Sequence, residues 1–141
     1  MLIELLGNKV QAKPTAKDWK EAIRISAWPL LDNDSIEEQY IDAMIKNCEE
    51  YGAYIVITNL FAIPHASPEC GVKKTDAALT ILKSPVDLLG KPVQVLFALA
   101  SIDYSSHVDA LRKLSKVLHD PSIVGKLIQT ETLDDVKEVL S

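Results

Sequence analysis

Residues 93-VQVLFALAS-101 carry one polar side chain, Gln94, before the closing serine. A strand with one wet face alternates polar and apolar residues. This one does not, which predicts a central strand covered on both faces. The cover has to come from amphipathic elements, and the chain supplies them on either side. Upstream, Lys17 to Leu31 repeats at helical spacing, with Trp19, Ala22, Ile23, Ala27 and Leu30 on one broad face. Pro29 falls in its last turn and should loosen or end it. Asp34 or Ser35 is placed to cap a second helix with the stripe Ile36, Tyr40, Ala43, Met44, Cys48 and Tyr51, ended by Gly52. Asn47 lies on that stripe. An inward amide needs hydrogen-bonding partners, so it points toward something polar.

Tyr54–Ile57 and Thr75–Leu82 read as further strands, the second closed by Ser84-Pro85, and Lys9–Ala12 is a weaker candidate. Downstream, Leu111, Leu114 and Leu118 mark one helix. Asp120-Pro121 reads as the N-cap and first residue of another, bearing Ile123, Val124, Leu127 and Ile128. Thr132 with Asp135 forms a capping box for the last, which buries Leu133, Val136 and Leu140. Helices bracketing apolar strands predict a layered α/β domain. With no repeat, low-complexity tract or Gly/Ser-rich linker, one domain over residues 1–141 is expected.

Composition excludes several classes. Hydrophobic residues make up 48% and charged residues 25%, ordinary for a globular chain. A net charge of −5 argues against nucleic-acid binding, which needs a concentrated basic face. Cys48 and Cys70 are too few for a disulfide framework. The segment MLIELLGNKV lacks the regions of a signal peptide, and Val95–Ala100 is far too short to span a membrane. A cytoplasmic, soluble protein with no direct membrane insertion is expected.

Two histidines occupy similar settings. His65, in 61-FAIPHASPECGV-72, follows the Tyr54–Ile57 strand; His107 follows the central strand, at the first turn of a helix. The spacing of His107 to Leu111 and Leu114 puts it at the head of the buried stripe, leaning over the sheet. Ser106 reads as the N-cap there, with Asp109 completing a box-like arrangement. Loops leaving strand ends form the usual ligand crevice of open α/β sheets, so the two imidazoles are plausible neighbours across one crevice. A neutral imidazole is a ready nucleophile, which suits phosphoryl transfer through a phosphohistidine. The helix N-terminus at His107 offers N–H groups to an anion, and the short residues Ala66 and Ser67 would let backbone amides reach phosphate oxygens. Pro64 stiffens the approach to His65.

Blander readings stand beside these. His65 between Pro64 and Pro68 is equally a turn residue, and His107 equally a loop-bonding residue of a first turn. Asp103 either shapes the turn or orients a histidine. Lys73 and Lys74 are a solvated pair or a basic contact for a partner. His119 is a favourable charge at a helix end, and Cys70 a semi-buried small residue. His65, Cys70 and His107 lack compact ligand spacing, so no metal site is expected.

The run 60-LFAIPHASPECGV-72 followed by SPVDLLGKPVQVLFALASIDYSSHVDALRKLSKVLHD resembles the enzyme IIA domain of the mannitol–fructose class in the bacterial sugar phosphotransferase system (PTS). The matching positions are Ala62, Ile63, Pro64, His65, Gly71, Val72, Pro85, Val86, His107 and Leu111. Finer details resemble the L-ascorbate-type branch: Asp18-Trp19, Glu21-Ala22, Gly52 with Tyr54, Pro64-His65-Ala66, Pro68-Glu69, and Asp103 ahead of His107.

The resemblance implies a three-layer α/β/α sandwich with a mostly parallel or mixed central sheet. It also implies a cofactor-free phosphotransferase. His65 would accept a phosphoryl group from the phosphocarrier HPr and pass it to a cysteine of enzyme IIB, while the membrane enzyme IIC moves an ascorbate-like or polyol/pentitol sugar. His107 would support the phosphoryl group, with Ala66, Ser67, Ser106, Asn47 and Asp103 as further stabilising candidates and Lys73 and Lys74 as partner contacts. Mannitol-type members carry an arginine near the site where Asn47 stands here. Two alternatives remain: a regulatory module whose His65 phosphorylation state controls a partner, and a small-molecule or metal-binding domain using the same crevice.

Overall fold

The computed structural model describes residues 2–141. Its centre is a five-stranded mixed sheet in the order β1-β4-β5-β3-β2, formed by β1 (Val10–Lys13), β2 (Val56–Thr58), β3 (Leu60–Ala62), β4 (Asp76–Leu88) and β5 (Lys91–Ala100). β5, the strand read first, runs antiparallel to β4 and parallel to β3. Its side chains alternate between two dry cores. Leu96, Ala98 and Ala100 face α2 (Trp19–Asp32) and α3 (Glu38–Tyr51). Val95, Phe97 and Leu99 face α1 (Leu2–Leu6), α4 (Tyr104–Leu118), α5 (Ile123–Ile128) and α6 (Leu133–Leu140). The architecture is therefore the expected three layers, with the sheet between helices.

Several elements depart from the sequence reading. β4 does not stop at Leu82 but passes through Ser84-Pro85 to Leu88. Its pairing with β5 breaks register between Ile81 and Val86, and that irregularity accommodates a residue with no N–H. The expected Tyr54–Ile57 strand is displaced to Val56–Thr58, because Tyr54 and Ile55 are taken up in a turn closed by the Val56 N–H on the Ala53 carbonyl at 3.1 Å. The strand entering the site loop is β3, paired directly with β5. The helix α1 had no capping signal to announce it.

Neither Asp34 nor Ser35 caps α3. Glu37 holds the N-cap position without a side-chain bond, and the Ser35 hydroxyl is buried against Asp76. Tyr51 ends the helix facing solvent at 68% exposure, while Ile41 and Ile45 join the core in its place. Asp120 bonds Ser122 in a turn instead of capping α5 directly. The capping box of Thr132 and Asp135 forms as read.

Candidate active site

Because β3 and β5 are parallel neighbours, their C-terminal ends open on the same edge of the sheet. β3 is followed by the loop that carries His65, and β5 by a short link into α4, whose first turn carries His107. After β3 the backbone leaves the ladder but stays bonded. The Pro64 carbonyl accepts the Leu99 N–H at 3.0 Å, and the Ala66 N–H donates to the Tyr40 hydroxyl at 3.0 Å. A short 3-10 turn, Pro68–Cys70, then closes the loop, and Gly71 follows at φ 120°. That backbone conformation favours glycine, and a Cβ there would also lie 3.0 Å from Gln39 and 3.3 Å from Glu37, whose exposed side chains would have to shift.

The His65 Nδ1 lies 2.7 Å from the Ile63 carbonyl oxygen. A carbonyl only accepts, so Nδ1 carries the proton and Nε2 keeps its lone pair. The second imidazole, His107, sits with its ring centroid 5.3 Å from that of His65. Burial, and then the His65 ring beside it, hold the His107 pKa below the ordinary histidine value. The Ser101 hydroxyl lies 3.4 Å from its Nδ1. Tyr54 packs edge-on against His65, with centroids 5.7 Å apart.

These groups, with Asn47, Ala66, Ser67, Pro68 and Tyr104, line a cavity of about 320 Å³, and no lysine or arginine is among the described residues that line it. A small anion entering it would meet neutral hydrogen-bonding groups and two imidazoles. Among the described residues, no three His, Cys, Asp or Glu side chains converge in a metal-ligand cluster.

Of the residues singled out in the sequence, the structure brings together His65, His107, Asn47, Ala66 and Ser67. Ala66 differs in function from its expected part. Its amide is committed to the Tyr40 hydroxyl and does not face the cavity as a free donor. The Ser67 amide has no acceptor among the described residues. Asp103, not Ser106, is the N-cap of α4. Its carboxylate accepts the Ser106 N–H at 2.7 Å and its carbonyl accepts the His107 N–H at 3.2 Å. The bond from Ser106 holds the Asp103 carboxyl below the usual carboxylate range. Ser106 faces a separate depression with Thr75, Asp109 and Lys113, and Asp109 pairs with Lys113 instead of completing a box. Lys73 and Lys74 are exposed and lie off the cavity, Lys73 bonded to Asp34 at 2.6 Å.

Sequence reasoning missed Tyr54, Ser101 and Tyr104 as residues lining the cavity, and Tyr40 as a residue bonded to the site loop behind it. Tyr40 was hidden because an aromatic residue at helical spacing reads as plain core. Burial pushes its phenol up to about 12, so it remains a protonated donor at every physiological pH.

The chain matches the family described as "Phosphoenolpyruvate-dependent sugar phosphotransferase system, EIIA 2" over residues 5–141. It is 36% identical to a mannitol-specific cryptic phosphotransferase enzyme IIA component of Escherichia coli K12, covering 90% of this chain and 88% of that protein. It is 30% identical to the ascorbate-specific PTS EIIA component of the same strain, over 96% of this chain and 92% of that one. The solution structure of an E. coli mannitol-specific cryptic enzyme IIA superposes with a TM-score of 0.91 at 33% identity, covering 99% and 97% of the two chains. A mannitol enzyme IIA solved in complex with phosphorylated enzyme IIB, also from E. coli, shares the fold at a TM-score of 0.81 and 21% identity, covering 95% and 94%.

Proposed function

The chain belongs to the EIIA 2 family of the phosphoenolpyruvate-dependent sugar phosphotransferase system, and from that membership we propose that His65 Nε2 is its phosphoryl-accepting atom. The observation that carries this is the 2.7 Å bond from His65 Nδ1–H to the Ile63 carbonyl, which leaves Nε2 as the free nucleophile. In the first transfer the Nε2 lone pair attacks phosphorus on the phosphohistidine of HPr. The P–N bond to the donor breaks and its electron pair returns to the donor ring. Positive charge develops on the His65 ring, and the Ile63 carbonyl dipole stabilises it through the retained Nδ1–H. In the second transfer a thiolate of enzyme IIB attacks the same phosphorus, and the P–Nε2 electrons return to His65. No proton has moved on His65, so the ring is restored in its starting tautomer.

His107 supports the phosphoryl group. Its lowered pKa favours the neutral ring, and in the tautomer with the proton on Nε2, where Nδ1 accepts from the Ser101 hydroxyl 3.4 Å away, it is a donor to phosphoryl oxygens. The Ser67 amide and Asn47 are further donors lining the cavity. Asp103 and Ser106 contribute through the start of α4, and Lys73 and Lys74 through partner contact. The mannitol and ascorbate specificities of the relatives support an acyclic polyol or ascorbate-like sugar as the final acceptor, moved by a separate membrane enzyme IIC.

The test is incubation with phosphoenolpyruvate, enzyme I and HPr. The expected product carries an acid-labile, base-stable phosphate on His65 Nε2, identified by 15N and 31P NMR and absent in His65→Ala. Full labelling of His65→Ala, or a phosphate on Nδ1, would overturn the assignment. Label that remains on His65 in the presence of the cognate IIB would favour a regulatory module.

A further inference from the structure

We infer that Tyr40 is the positioning residue that holds His65 at its working distance from His107; this rests on the phosphoryl-accepting role of His65 proposed above. Tyr40 is fully buried on α3, in the same apolar core as Ile36, Met44 and Cys48. Phenylalanine would suit those surroundings, and a hydroxyl buried there costs stability unless it is bonded. The hydroxyl accepts the Ala66 N–H at 3.0 Å and donates to the Leu99 carbonyl at 2.8 Å, with the Ala66 carbonyl 3.2 Å away.

Leu99 also uses its own N–H, on the Pro64 carbonyl at 3.0 Å. Both neighbours of His65 are thus tied to one residue of β5, Pro64 directly and Ala66 through the Tyr40 hydroxyl. The same strand continues through Ser101 into α4 and His107. Leu99 is therefore a common reference point for the two imidazoles. Residues 63–67 belong to no strand or helix, so these bonds take the place of a ladder. Without the phenol oxygen the Ala66 side is released, and the backbone at His65 keeps only the Pro64 anchor and the long 3.4 Å bond from the Tyr54 hydroxyl to the His65 carbonyl. Tyr40 does not line the cavity, so it contacts neither the phosphoryl group nor its donor.

The experiment compares wild type with Tyr40→Phe. Expected are fast hydrogen exchange at the Ala66 amide and 15N imidazole signals of His65 that spread from one tautomer to a mixture. The kcat for phosphate from phospho-HPr should fall on the order of tenfold, with KM within about twofold. An unchanged kcat with a still-protected Ala66 amide would overturn the inference, as would a loss confined to KM. If Tyr40→Phe fails to fold, lactate in place of Ala66 deletes that N–H without changing a core side chain, weakening otherwise only the His65 carbonyl as an acceptor. The same kcat loss is expected, and an unchanged kcat refutes the positioning role. Should wild type take no phosphate on His65, the functional assignment falls. The exchange and tautomer readouts then still decide whether Tyr40 sets the geometry of His65.

Discussion

Residue by residue, the site depends on which ring nitrogens hold protons. The Ile63 carbonyl assigns the proton of His65 to Nδ1. His107 is kept neutral first by burial and second by the neighbouring His65 ring. An imidazolium there would lose hydration and stand 5.3 Å from a second titratable ring. Its titration midpoint, followed by NMR, is expected below the ordinary value of about 6.5. His65→Ala removes the smaller cause, so it should raise the midpoint only part of the way back. A midpoint at or above the ordinary value in wild type would contradict this account.

The histidines themselves could be read from the sequence, because each follows an apolar strand and one opens a helix. Their fine support could not. Tyr40 announces a buried aromatic ring, but the partners of its hydroxyl come from residues 66 and 99, which no local pattern connects to residue 40.

Among the elements, long apolar runs and helical stripes gave their positions away, and the starts of elements did not. At α4 both Asp103 and Ser106 are cap-type residues, and local sequence favours neither. A tertiary bond decides between them. The Ile102 N–H donates to the Thr75 hydroxyl at 3.0 Å, and the chain stays extended through Asp103 at φ −150° before it turns into the helix. Ser35 is a parallel case, drawn from capping duty by the buried carboxylate of Asp76.

The cap predicts a pH signature. The Asp103 carboxyl is held below its ordinary value by the Ser106 amide, so its contribution is complete above about pH 4, the unfolded carboxylate pKa. It is lost as pH falls through the lower folded value. Asp103→Ala should therefore melt below wild type at pH 7, and the gap should narrow as pH falls below about 4. Asp103→Asn, which caps without a charge, should stay near wild type at neutral pH. A gap that stays constant with pH would mean that the carboxylate is not the capping group.

Over the whole molecule, the end of the sheet that carries the site is also where its layers are joined. Asp76, at 4% exposure, pairs in register with Ala100, the last residue of β5. Its carboxylate receives Lys9 Nζ at 3.1 Å from the turn after α1, and the Asn33 amide at 2.9 Å and the Ser35 hydroxyl from the link between α2 and α3. One side chain thus ties the helices of both faces to the sheet. Removing one partner of a buried pair costs more than the pair contributes, because the other charge loses its compensation. Lys9 keeps 21% side-chain exposure and recovers some hydration, which moderates that penalty. Asp76→Ala is expected to lose roughly 3 kcal/mol, a fall in Tm on the order of 10 °C for a chain of this size. Asp76→Asn should lose less, since the amide oxygen still accepts from Ser35. Thermal unfolding of the two variants checks this, and an Asp76→Ala protein melting within about 2 °C of wild type would show that the layers are held together by apolar packing alone.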